Sequence, residues 1–186
     1  MARIPTLKPE EMSPEQKRLA DKIAGPRGGV VRGPFAIWLR NPALVDKADD
    51  FGNLLREGTS VPRRLSELAI LATARHWTAQ YEWFAHEKMA LDQGIAKDVV
   101  EAIRNRQRPN FTKKDEQAVY ALVTELYENK AVSDPTYAAA VQALGQQTVI
   151  ELVTIATFYA MIAMFLVTFQ VDIPEGAKLP LPADSR

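Results

Sequence analysis

The sequence contains no cysteine among its 186 residues. A disulfide-stapled scaffold is therefore excluded, and thiol chemistry has no nucleophile. The absence does not fix the compartment, although a reducing cytoplasm is the usual setting of a chain without disulfides. The first thirteen residues, MARIPTLKPEEMS, also lack an apolar stretch of signal-peptide length. We therefore expect a cytoplasmic protein.

An excess of charge of either sign is also missing. The 23 basic residues balance 23 acidic ones, and the isoelectric point lies near 6.8. Nucleic-acid binders normally show a basic excess or a basic face, so we expect no nucleic-acid partner. The locally basic segment 104–114 is followed at once by two acids. We interpret it as a solvated loop, with an anion site as the alternative.

Patterns typical of β-strands are scarce, because the β-branched residues fall in short pieces or inside helical repeats. We therefore predict an all-α fold, a single domain over 1–186 with about seven helices and extended arms at 1–13 and 174–186. Ser13, Thr112 and Ser133 stand where helix caps are expected. Gly94 and Gly145 stand where helices should end.

One long hydrophobic run is present. Residues 152–169 are eighteen residues without a charge, which meets the minimum length of a membrane span. Glu151 precedes the run, no basic residues flank it, and three threonines and a tyrosine dilute it, so we favour a buried core helix and no membrane. A helix at 149–169 that is apolar all round has more apolar surface than one layer of neighbours covers. We therefore predict a homo-oligomer.

The chemistry-bearing residues gather in the segment 62–94, PRRLSELAILATARHWTAQYEWFAHEKMALDQG. Its pattern predicts two consecutive helices with a short break at 76–79. Glu82 and His86 are four residues apart and share one face of the second helix. Glu67 lies in an apolar stretch of the first helix, where an ionised carboxylate needs a partner. Antiparallel packing would bring all three together as an acid–base group, and the sequence leaves open which carboxylate partners the imidazole.

Two other interpretations apply to the same residues. A buried hydrogen bond between His86 and a carboxylate can simply satisfy polar groups, without any catalysis. A metal ion needs three or four donors, and a second histidine usually supplies one. The only other histidine, His76, falls roughly opposite Glu67 on its helix, so we expect no metal. Trp83 lies beside His86 on the helix and is a candidate for lining a substrate pocket.

The order ELAIL, YEW, a histidine three residues later and then MALDQG resembles the carboxymuconolactone decarboxylase family and its alkylhydroperoxidase D relatives. The segments GPRGGVVRGPFAIWLRNP and LGQQTVIELVTIATFYAMIAMF extend the resemblance over nearly the whole chain. The resemblance implies an all-α fold that assembles as trimers or hexamers. It carries over Glu67 and His86 by position. The peroxidase branch has cysteines where this sequence has Ala79 and Glu82, so its thiol chemistry has no nucleophile here.

The resemblance implies a lyase or isomerase that acts on a small cyclic acid or lactone without a cofactor. Decarboxylation leaves electron density that must be protonated, so it needs a proton donor and a dry cavity. His86 would be the donor, with Glu67 or Glu82 setting its tautomer. The arginines that could orient a substrate acid are Arg27, Arg32 and Arg75, the first two in a glycine-rich loop that can equally be a flexible connection. A hydroperoxide reductase and a ligand-binding oligomer without catalysis remain the alternatives.

Overall fold

The structure is a computed structural model that describes residues 2–25 and 28–182. Within these ranges the chain forms helices and no strand, so the predicted all-α fold is confirmed. The described ranges hold nine α-helices, two more than the expected seven, and one turn of 3-10 helix at Pro9–Glu11 within the amino-terminal arm. The α-helices are α1 (Pro14–Ala24), α2 (Pro34–Trp38), α3 (Pro42–Glu57), α4 (Arg63–His76), α5 (Gln80–Asp92), α6 (Lys97–Arg104), α7 (Lys114–Asn129), α8 (Asp134–Leu144) and α9 (Gln146–Phe169).

Short polar side chains start two of these helices as predicted. The Ser13 hydroxyl accepts a hydrogen bond from the Gln16 amide at 3.2 Å, and the Gln16 side chain accepts one from the Ser13 amide at 2.8 Å. Ser133 caps α8 with its hydroxyl in the same way. The expectation that Thr112 caps α7 is wrong. The extended backbone at Lys113 makes that residue the N-cap, so Thr112 lies one position too early to reach the free N–H groups.

Helix α4 lies at the centre of the fold and packs against α5, α7 and α9. Its residues from Leu65 to Arg75 are all buried. Each leucine that is fully buried there contributes about 2 kcal/mol through the hydrophobic effect. A carboxylate in this helix is therefore surrounded by protein on every side, which is the setting of Glu67.

Helix α9 has two different faces. By length and composition it could cross a membrane, but half of its most apolar stretch is buried inside the fold. Its buried residues pack against α4 and five further helices, which makes α9 a core helix on that side. The opposite face remains apolar and exposed, with Ile150, Met161, Met164 and Val167 each more than two-fifths exposed.

The described part of the carboxyl-terminal arm, residues 174–182, contains no helix or strand and is fastened to the start of α5. The Gln80 side-chain amide donates to the Leu181 carbonyl at 3.0 Å and accepts from the Leu181 amide at 2.9 Å. The Leu181 side chain is 4% exposed and belongs to the hydrophobic core. The guanidinium of Arg104 donates to the carbonyl of Pro180. Residues far apart in the sequence therefore hold the first turn of α5 in place.

Candidate active site

The three-residue connection between α4 and α5 brings the predicted acid–base residues together. The Ala79 amide donates to the Ala74 carbonyl at 2.8 Å, and Thr78 adopts a left-handed conformation with φ of 50°, so α5 folds back along α4. This places His86 Nδ1 2.7 Å from Oε2 of Glu67. Of the two carboxylates that the sequence left open, Glu67 is the one that contacts the imidazole.

The Glu67 carboxylate has a second charged neighbour, Arg63, one turn earlier on α4. The Arg63 Nη2 atom lies 2.8 Å from Glu67 Oε1, and the Glu67 side chain is 0% exposed. Arg63 and His86 thus both contact the Glu67 carboxylate. The Nδ1–H of His86 donates to Glu67, and we assign this proton to Nδ1 from the contact. The other ring nitrogen, Nε2, has no partner among the described residues.

Glu82 lies one turn before His86 on α5 and is in the opposite situation. The residue is 2% exposed, and neither carboxyl oxygen has a hydrogen-bond partner among the described residues. Burial raises the pKa of the Glu82 carboxyl well above its usual range. A carboxylate without a donor would be very costly there, so the group is held as the neutral acid near pH 7. The site thus contains an imidazole and a buried acid on one helix face.

Tyr159 of α9 closes the site over His86. Its ring meets the imidazole edge-to-face with the centroids 5.1 Å apart. Burial raises the pKa of the Tyr159 hydroxyl to about 12, so the group stays protonated. The charge of Arg56 of α3 lowers this pKa and that of Glu67 raises it.

Sequence reasoning missed Tyr159, Arg56 and Arg63. Arg63 had a usable signal, because it stands four residues before Glu67 and opposite charges at that spacing pair on a helix. Tyr159 is one of several aromatic residues in the apolar run, and Arg56 lies in the last turn of helix α3. No local pattern marks either one, since their places depend on how α3 and α9 pack.

Two of the residues predicted to bind substrate have structural partners instead. Arg75 donates through Nε to the Arg104 carbonyl at 2.7 Å and through Nη1 to the Thr78 hydroxyl at 2.9 Å. Trp83 is fully buried, donates through its indole N–H to Glu87 at 3.0 Å, and lies under the Arg104 guanidinium, 5.2 Å from the ring centroid. These side chains join α4, α5 and α6, and their role in substrate binding stays a prediction.

The other two predicted arginines lie in or near the glycine-rich loop. Arg32 is exposed and lines a cavity of about 450 Å³ beside Tyr81 and the amino-terminal arm. Glu67, Glu82 and His86 are not among the residues that line this cavity. Arg27 lies outside the described residues. Among the residues that are described, no group of three or more histidine or acidic side chains is arranged to hold a metal ion.

Known proteins resemble this chain in fold. No protein-family model and no curated protein matches the sequence. The debrominase Bmp8 shares 13% identity at a TM-score of 0.73, with 91% of each chain covered. An uncharacterized peroxidase-related protein from Silicibacter sp. TM1040 shares 10% identity at a TM-score of 0.76, with 94% of this chain and 92% of the other covered. An Agrobacterium tumefaciens protein of unknown function, proposed to be the antioxidant defence protein AhpD, shares 12% identity at a TM-score of 0.64. The match covers 74% of this chain and 95% of the other.

These likenesses concern the fold, because the identities are low. They confirm that the chain has the helical fold of the alkylhydroperoxidase D-like proteins. Enzymes occur in this fold, as the debrominase demonstrates. The activity of this chain, including decarboxylation, stays a prediction.

Proposed function

We propose that the chain is an acid–base enzyme of the carboxymuconolactone decarboxylase type, a lyase or isomerase that acts on a small cyclic acid or lactone. The observation that carries this proposal is the 2.7 Å contact between His86 Nδ1 and the buried carboxylate of Glu67. A carboxylate in that position fixes the orientation and tautomer of an imidazole that moves protons. Glu82 supplies a second titratable group, whose pKa burial raises, as a general acid requires.

We assign the role of base to His86 Nε2 and the role of acid to the Glu82 carboxyl. In an isomerisation, His86 removes a proton from a carbon next to a carbonyl group and Glu82 delivers one to another atom of the substrate. In a decarboxylation, the carbon–carbon bond breaks, carbon dioxide leaves with the electron pair remaining on the substrate, and Glu82 protonates that carbon. The sequence suggested His86 as the proton donor. We assign this role to Glu82 instead, because the Nδ1 proton of His86 is hydrogen-bonded to Glu67.

The proposal is tested by deuterium incorporation. Small cyclic acids and lactones are first screened by thermal shift, since a ligand that binds only the folded state raises the melting temperature. Compounds that bind are then incubated with the enzyme in D₂O and followed by NMR. We expect His86→Gln to abolish incorporation and turnover while the far-UV spectrum and melting temperature stay close to wild type. His76→Gln, which changes the other histidine, is the matched control and should keep its activity. Full turnover by His86→Gln would refute the assignment.

A thiol peroxidase is the alternative that the names of two structural relatives suggest. Such an enzyme needs a cysteine thiolate, and this sequence has no cysteine. Sustained turnover of an organic peroxide with a thiol reductant would contradict our proposal. The remaining alternative, a ligand-binding oligomer without catalysis, predicts binding in the thermal-shift screen but no deuterium incorporation.

We also propose that the chain works as a homo-oligomer in the cytoplasm. The support is the exposed apolar face of α9, which α3 extends with Phe51 and Leu54. Exposed apolar surface of this extent is typical of protein interfaces. Light scattering that finds only a 20.7 kDa species at micromolar concentration would contradict the proposal.

A further inference from the structure

The cavity that Arg32 lines is separate from the site around His86. Its volume of about 450 Å³ falls within the range of small-molecule binding sites. Its walls come from the amino-terminal arm, the glycine-rich loop, α2, the first turn of α5 and the segment that follows α9. The Arg3 amide donates to the Phe169 carbonyl at 2.9 Å, which fastens the amino-terminal arm to the end of α9. The two wall segments that lie far apart in the sequence are therefore held together.

The walls of this cavity are mainly aliphatic. They include Ile4 of the amino-terminal arm, Val31 of the loop, Ile37 of α2, and Val171 and Ile173 after α9. Apart from one tyrosine, no aromatic side chain is found among the described residues that line it. Such walls take up apolar ligand surface from water but offer few aromatic faces for stacking. They therefore favour an aliphatic ligand.

The lining tyrosine, Tyr81, supplies the cavity with a hydrogen-bond donor. Its ring lies against Gly33, where a Cβ atom would be 2.6 Å from Cε1 and 3.1 Å from the hydroxyl oxygen. Gly33 also lines the cavity, so the hydroxyl end of the ring lies at the cavity wall. Among the described residues the hydroxyl has no hydrogen-bond partner. Burial raises its pKa, so the group stays protonated near pH 7 and can donate to a ligand.

The charged side chains that line the cavity carry both signs. Arg32 is the one cation among the described lining residues, and Asp172 and Glu175 are acids. All three are exposed, so they lie at the mouth of the cavity. The Asp172 carboxylate accepts a hydrogen bond from the Ala2 amide at 2.8 Å. An anion would find no excess of positive charge among these side chains, and a neutral ligand avoids the cost of desolvating a charge.

We propose that this cavity is a second binding site, for a neutral aliphatic carbonyl compound such as a medium-chain ketone or ester. The carbonyl oxygen would accept the hydrogen bond that the Tyr81 hydroxyl has to offer, and the alkyl chain would lie against the aliphatic walls. This inference goes beyond the proposed function, because Glu67, Glu82 and His86 do not line the cavity.

The test compares 2-heptanone with heptanoate, which have chains of the same length and differ in charge. Both are titrated into protein whose isoleucine δ1 methyl groups carry carbon-13, and binding is followed by NMR. Ile4, Ile37 and Ile173 line the cavity, whereas Ile155 lies in the core on α9. The methyl shifts therefore report where the ligand binds as well as how tightly.

The key variant is Tyr81→Phe, which keeps an aromatic ring beside Gly33 and removes only the hydroxyl. Tyr137→Phe, at an exposed position of α8, is the matched control. We expect 2-heptanone to bind with a dissociation constant below about 1 mM, and heptanoate to bind at least about tenfold more weakly. Tyr81→Phe should bind 2-heptanone about three- to tenfold more weakly, as the loss of one neutral hydrogen bond implies. Tyr137→Phe should bind it like the wild type.

Four results would each overturn the inference: shifts confined to isoleucines outside the cavity, heptanoate binding as tight as that of 2-heptanone, undiminished binding by Tyr81→Phe, and no saturable binding of 2-heptanone up to about 10 mM. His86→Gln separates the inference from the proposed function. This variant should bind 2-heptanone within about twofold of the wild type, because the imidazole lies outside the cavity. Loss of binding in His86→Gln would place the ligand at the other site and would also overturn the inference. Full turnover by His86→Gln with binding unchanged would refute the catalytic assignment alone.

Discussion

Two clusters of polar side chains alternate along α5. Arg75, Trp83, Glu87 and Arg104 form one group, which we call the α4–α6 joint. Both oxygens of Glu87 accept hydrogen bonds, from Trp83 and Arg104, and the Arg104 guanidinium also binds the Pro180 carbonyl. In the other cluster, around His86, Glu82 has neither oxygen paired and Arg63 has a free donor.

The difference separates two reasons for burying a charged group. In the α4–α6 joint the polar atoms find partners within the protein, so the cluster stabilises the packing of three helices. Around His86 the protein leaves donors and acceptors unmatched, at a cost in stability. Unmatched groups at a site with a free base are what a substrate would complete. The predictions below change one cluster at a time.

The largest effect should come from Glu67→Gln. The amide can still accept from His86 but no longer balances the charge that develops on the imidazole, so we expect proton-transfer activity to fall by about 10²–10⁴-fold. Deuterium incorporation measures the loss. The matched variant in the α4–α6 joint, Glu87→Gln, should keep its activity and lose about 1–2 kcal/mol of stability. If the two variants exchanged these phenotypes, the comparison would fail.

Arg104→Met should have the next largest effect, on stability. The substitution leaves Glu87 without its cation and the Pro180 carbonyl without its donor. We expect the free energy of unfolding to fall by about 2–3 kcal/mol in urea denaturation, while activity per folded molecule persists. Arg40→Met is the control for charge. A loss below about 0.5 kcal/mol would mean that the joint contributes little to stability.

Glu82→Gln should change how stability depends on pH. The folded-state pKa of Glu82 is raised by burial, so the folded protein holds a proton that the unfolded chain releases above about pH 4.5. The free energy of unfolding of the wild type therefore falls as the pH rises from about 4.5 towards the pKa of Glu82 in the folded protein. This group contributes a fall of up to about 1.4 kcal/mol per pH unit.

The Glu82→Gln variant has no carboxyl proton to release at this position. Its melting temperature relative to that of the wild type should therefore rise from pH 5 to pH 8. Glu57→Gln, at an exposed position of α3, provides the control. A stability difference between Glu82→Gln and the wild type that is independent of pH would show that Glu82 is not held as the neutral acid.

The smallest effect should come from Arg75→Lys. The substitution removes the bond from Nε to the Arg104 carbonyl and should cost about 1 kcal/mol of stability. Because Arg75 belongs to the α4–α6 joint, KM should stay within about twofold of the wild type. A larger rise in KM with unchanged stability would restore the substrate-binding role that the sequence suggested.

Local spacing was enough to predict the central pair. The cost of burying Glu67 in an apolar helix, and the chain reversal before α5, already pointed to His86, and the structure places the two side chains in contact. The same reasoning placed Glu82 on the imidazole's helix. It could not choose between the carboxylates, because that depends on the rotation of α5 against α4.

Contacts with partners far along the chain could not be predicted from the sequence. Arg75 and Trp83 are adjacent to the site in sequence, but Arg104 draws both of them into the joint. Tyr159 reaches His86 from α9, more than seventy residues later. These contacts arise from packing between helices, which hydrophobic periodicity determines only in outline.

The attachment of the carboxyl-terminal arm bears on how the chain matures as it is made. Gln80, in the first turn of α5, is bound by the backbone of a residue 101 positions later. Domains tend to fold from the amino terminus as they leave the ribosome. Helices α4 and α5 can pair while the carboxyl-terminal part of the chain is still being synthesised, but the start of α5 is fastened only after residue 181 has emerged. The helix that carries Glu82 and His86 can therefore form well before it is secured.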